Sequence, residues 1–145
     1  MSETKKYMDG AGHDWGKAQA PSLDDFAALA EAAYAALPEP FRKLAGEVRM
    51  QVEDFADEEI LDQVGVEDPF ELTGLYQGVG LTERSVLDPV LQPSQIYLYR
   101  RPILDEWAER GDVSLGELIT HVLVHEIAHH FGLDDAGIHA AEDKA

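Results

Sequence analysis

The stretch "VSLGELITHVLVHEIAHHFG", residues 113–132, decides how this chain is read. Ser114 and Glu117 have the spacing of a capping box, which places a helix start near Leu115. Gly132 suits the position just past a helix end, where the backbone often takes a positive φ. Between them Leu115, Leu118, Ile119, Val122, Leu123, Ile127 and Phe131 supply a broad apolar surface, so the helix is expected to be largely buried. That burial gives the embedded polar residues their meaning. A buried imidazole or carboxylate without a partner is costly.

His125 and His129 are four residues apart, so they differ by only about 40° around the helix and can converge on one metal ion. Glu126 lies beside that line and can reach a metal-activated water instead of the metal. This is the His-Glu-x-x-His arrangement, two ligands and a general base on one rigid helix. A catalytic zinc normally takes three protein ligands and keeps one open position. The chain continues Gly132-Leu-Asp-Asp135, which completes H-E-x-x-H-x-x-G-x-x-D, the metzincin spacing with Asp in place of the usual third His. Asp135 is the expected third ligand; Asp134 and His139 are the alternatives. His130 points about 100° away from His129 and is read as a packing or supporting residue. His121, one turn before His125, is read as a hydrogen-bonded structural residue.

Outward from this helix, "PSLDDFAALAEAAYAALPEP" predicts a first helix with Ser22 as N-cap and Asp24 and Asp25 in the first turn. Pro38 and Pro40 are expected to stop it. "GEVRMQVEDF" alternates Val48, Met50 and Val52 with polar residues, the pattern of a strand with one buried face. "ADEEILDQVGV" reads as a short helix ending near Gly65. "ELTGLYQGVGLTERS" reads as a strand with a glycine bend, and "SQIYLYR" as a clearer strand. "ILDEWAERG" predicts another helix, opened by Pro102 and closed by Gly111. Residues 1–21 are polar and rich in small residues, and are expected to form a flexible tail ahead of a domain over 22–145.

The chain has 145 residues, 45% of them hydrophobic, enough for a single core. Its formal charge of −18 argues against nucleic acid and anionic membranes as partners. Nine acidic residues and no basic one lie between Glu53 and Glu71, which predicts a solvated acidic face or a docking surface for a basic partner. Cysteine is absent, so any metal must be held by His and carboxylates. The N-terminus lacks the apolar core of a secretory signal, and no apolar run approaches a membrane span. A cytoplasmic location is the simplest expectation.

The motifs "LTGLYQGVGLTERS", "IYLYRRPI" and above all "HVLVHEIAHHFGLDD" resemble those of the small bacterial zincin-like metallopeptidases, or minimal zincins, over roughly residues 40–140. The resemblance implies an α+β fold, a minimal zincin-like domain with a small mixed sheet packed against the buried His-Glu-x-x-His helix. It implies one zinc ion held by His125, His129 and Asp135, with Glu126 as general base. No methionine follows Asp135, so the pattern departs from full metzincins downstream. The expected activity is peptide-bond hydrolysis by a zinc-activated water, on a peptide or protein substrate with basic side chains. The competing expectation is a zinc-stabilised binding or regulatory domain whose acidic surface takes a basic partner; hydrolysis of a non-peptide amide is a third. Tyr76, Tyr97, Tyr99 and His139 are the candidates for stabilising the oxyanion, and a strand at 72–79 or 94–100 is expected beside the cleft.

Overall fold

The computed structural model describes residues 15–78 and 94–132. Helix α1, Leu23–Ala36, opens on a capping box in which Ser22 Oγ accepts from the Asp25 N–H and the Asp25 carboxylate accepts from the Ser22 N–H. That pairing holds the Asp25 carboxyl below its ordinary pKa. Pro38 ends the path of α1, yet Pro40 does not keep the next segment extended. A further helix, α2, runs over Glu39–Ala45, with Pro40 in its first turn. Proline lacks only an N–H that a first turn leaves unused, so the residue expected to stop one helix also starts another.

Strand β1, Val48–Glu53, alternates as expected: Val48, Met50 and Val52 pack against the main core while Arg49, Gln51 and Glu53 stay exposed. Helix α3, Glu58–Val64, is capped by the Asp57 side chain, and a short 3-10 turn, Pro69–Glu71, by that of Asp68. Strand β2 spans Gly74–Gln77 and strand β3 spans Ser94–Tyr99. Helix α4, Arg100–Arg110, follows β3 directly, so Pro102 sits inside its first turn instead of opening it. Helix α5, Leu115–His130, starts at Ser114 with the predicted capping box to Glu117. Gly132 follows its end at φ 69°, a conformation that a Cβ disfavours.

The described part of the chain is thus α+β, with five helices and a three-stranded mixed sheet in the order β1-β3-β2. β1 lies parallel to β3 and β2 antiparallel to it, with Met50 opposite Ile96 and Tyr76 opposite the same residue on the other side. One face of the sheet carries the main core. There Ile96, Leu98 and Tyr76 meet Phe26 and Ala30 of α1, Phe41 of α2 and the buried side of α5. The other face carries a smaller cluster in which Tyr97 and Tyr99 pack with Ala56, Leu61, Leu72 and Leu75. Burial, with the negative charges of Glu53, Asp57 and Glu126 adding to it, raises the Tyr99 phenol well above its ordinary range.

Helix α5 is buried on more sides than an ordinary surface helix. Ile119, Leu123, Val124, Ile127 and Ala128 are all fully enclosed, and α1, α2, α4 and β2 all pack on the helix. All nine carboxylates from Glu53 to Glu71 are exposed. Three of them also have local work: Asp57 and Asp68 cap helical turns, and Asp54 pairs with Arg100 at 3.0 Å. The same Arg100 donates to the Pro21 carbonyl at 2.6 Å, which ties the start of α1 to β3 and α4. No helix among the described residues is long and apolar enough to cross a membrane.

Candidate active site

The last two turns of α5 carry every residue of the His-Glu-x-x-His motif. The side chains come together because the helix is rigid there and its other sides are already packed. The rings of His125 and His129 have centroids 6.4 Å apart, and those of His121 and His125 are closer, at 4.1 Å. The three imidazoles therefore form a ladder along one side of the helix, at intervals of one turn. His125 and His121 are half-buried and His129 is exposed.

Glu126 is half-buried beside this ladder, under β2. Loss of hydration pushes its carboxyl from an ordinary 4.5 up to about 7, opposed by a hydrogen bond donated by the Tyr76 backbone N–H. The strand geometry explains that donor. The Tyr99 N–H donates to the Thr73 carbonyl at 2.9 Å, so Thr73, Leu75 and Gln77 are the positions of β2 that bond to β3. Alternation in an antiparallel pair turns the backbone groups of Gly74 and Tyr76 away from β3. Among the described residues β2 is an edge strand, and Glu126 of α5 lies beside its outward side at Tyr76.

His130 has a different environment. Its ring lies against that of Tyr76, with centroids 4.2 Å apart, and touches Phe131. This is the packing role expected of it. The tyrosines proposed for the oxyanion divide between the two faces of the sheet. Tyr97 and Tyr99 belong to the cluster on the face away from the main core, and the Tyr97 hydroxyl donates to Gln95 at 3.1 Å. Tyr76 is on the α5 face, but its hydroxyl donates to the Ala45 carbonyl at 3.4 Å. The atom of Tyr76 that reaches the motif is its backbone nitrogen. Asp134, Asp135 and His139 lie outside the described residues.

The donor chemistry present suits a divalent ion. Imidazole nitrogens are good zinc ligands. The half-buried Glu126 carboxyl, costly to ionise alone, gains from a neighbouring cation. Among the described residues no group of three or more His, Asp or Glu side chains is arranged to hold a metal ion, so His125 and His129 form at most part of a site there.

The sequence reading did not pick out Gly74 and the Tyr76 N–H. The available signal was the glycine inside "LTGLYQG", since glycine within a strand marks a close approach of another chain segment.

Comparison with known families agrees with the motif. A family model for zincin-like metallopeptidases matches residues 45–145, and the chain belongs to that family. No curated protein matches the chain.

Proposed function

We propose that this protein is a zinc-dependent peptidase in which His125, His129 and Asp135 hold the metal and Glu126 is the general base. The observation that carries the reading is the environment of Glu126. It is a half-buried carboxyl with its pKa raised to about 7, on the same helical turns as two imidazoles, in a family of metallopeptidases. A base of that pKa can both accept and return a proton near neutral pH. When bound, zinc would supply Lewis-acid polarisation of the scissile carbonyl and of the attacking water. Glu126 takes a proton from that water and passes it to the leaving amine. The Tyr76 N–H holds one side of the carboxylate while this occurs.

β2, an edge strand beside Glu126, is where an extended peptide would pair, through outward backbone groups other than the Tyr76 N–H. The nine exposed carboxylates between Glu53 and Glu71 favour peptides bearing Lys or Arg.

The test couples metal analysis to a peptide-library cleavage screen. Glu126→Gln is expected to keep one zinc per chain and lose cleavage by at least about 100-fold, the scale of general-base catalysis. His129→Ala is expected to lose both metal and cleavage. Undiminished cleavage by purified Glu126→Gln would sink the mechanism. Tight zinc in a wild type that cleaves nothing, with a fourth protein ligand detected spectroscopically, would favour the zinc-stabilised binding domain instead.

A further inference from the structure

Gly74 is buried where β2 crosses α5. A Cβ built on it would meet Val122 Cγ1 at 2.8 Å, the Tyr97 carbonyl oxygen at 3.2 Å and Glu126 Cγ at 3.3 Å. Those three contacts close on the position from both sides. The Tyr97 oxygen belongs to β3, in the hydrogen-bonded pair with Leu75, and cannot retreat without breaking the ladder. Val122 is buried on α5, and a β-branched side chain in a helix has essentially one rotamer, so it cannot swing aside. A methyl group at position 74 therefore has to move β2 away from α5.

The required movement is small but falls at a sensitive place. Two residues further along the same strand, the Tyr76 N–H donates to the Glu126 carboxylate. Relieving a 2.8 Å contact to an ordinary 3.4 Å separates strand and helix by roughly half an ångström. A backbone N–H···O contact lengthened by that much is weakened. We infer that Gly74 is a positioning residue for Glu126: by lacking a side chain it lets β2 lie close enough to α5 for the Tyr76 N–H to fix the orientation of the carboxylate. A backbone donor suits this task because it has no rotamers and is held by the sheet. Of the two carboxylate oxygens it engages one, which leaves the other for proton transfer. The catalytic consequence rests on the reading of Glu126 as general base; the geometric claim does not.

The full chain labelled with ¹⁵N separates the two. In wild type, Glu126→Ala is expected to move the Tyr76 amide resonance upfield by more than any other amide of β2. Gly74→Ala is expected to move it the same way, after which adding Glu126→Ala changes nothing further. Gly74→Ala combined with Val122→Ala, which removes the closest contact, is expected to move the resonance back toward its wild-type position. A Tyr76 amide that keeps its wild-type position in Gly74→Ala and still responds to Glu126→Ala overturns the inference. If Gly74→Ala does not fold, Val122→Ile adds bulk to the same contact from the helix side. It is expected to weaken the coupling, and intact coupling there overturns the inference equally.

In the zinc-loaded enzyme Gly74→Ala is expected to lower kcat by about 10-fold, with KM within about twofold and zinc content unchanged. Leu61→Ala, in the cluster on the other face of the sheet, serves as the control for lost stability and is expected to keep kcat. A wild type that cleaves no peptide defeats the functional reading, while the amide resonances still decide the role of Gly74.

Discussion

Glu126 is a half-buried carboxyl on the same helical turns as two imidazoles. Burial raises its pKa from 4.5 to about 7, and the sign of the consequence follows from which form the fold prefers. The folded chain favours the protonated acid and the unfolded chain ionises at the ordinary value. The group's contribution to stability is therefore fully present below pH 4.5 and is lost as the pH rises through about 7. In metal-free protein, urea unfolding of wild type and Glu126→Gln should diverge across that window, with the glutamine variant gaining by up to about 3 kcal/mol. Parallel curves from pH 4 to 8 would show that the carboxyl is well solvated after all. The histidines separate in the same way by environment. His125 and His129 share one side of α5, whereas His130 lies against the Tyr76 ring. Their positions relative to one another were legible from the 3.6-residue period. The partner of Glu126 was not, because a backbone N–H leaves no side-chain signature in a sequence.

At the scale of elements, α5 is the frame on which the motif depends. Its N-terminus is held by the reciprocal Ser114–Glu117 pair. Ser114→Ala should cost about 1 kcal/mol in thermal or urea unfolding while leaving zinc content unchanged, because the cap lies about three turns from His125 and four from His129. A loss of zinc in that variant would mean that the helix frays as a whole. Most elements were readable where period and punctuation agree, as in β1, with its alternating valines and methionine, and in α5, with its cap and terminal glycine. Helix α2 was missed because Pro38 and Pro40 carry two meanings. A proline ends one helix and suits the first turn of the next, and only the packing of Phe41 and Ala45 into the core decides between them.

Across the whole molecule the formal charge of −18 is spread over a small domain, with the carboxylates of residues 53–71 gathered on one exposed run. Self-repulsion of this kind opposes compaction and is screened by salt. The metal-free protein should accordingly be more stable by about 1 kcal/mol in 0.2 M than in 0.01 M sodium chloride, read from its unfolding midpoint; a lower midpoint at the higher salt would refute this. By itself the sequence determined most of the amphipathic elements, the glycine boundaries, the acidic surface and the placing of His125 and His129 on one side of a helix. These follow from local periods and local caps, which act over a few residues. Tertiary structure alone decided that β1 and β3 run parallel with β2 at the edge, and that Tyr97 and Tyr99 face away from the main core. It alone decided, too, that Gly74 brings a backbone donor onto Glu126. Each of these is a contact between segments distant in the chain, set by how surfaces fit once they are buried together, and no local pattern encodes that fit.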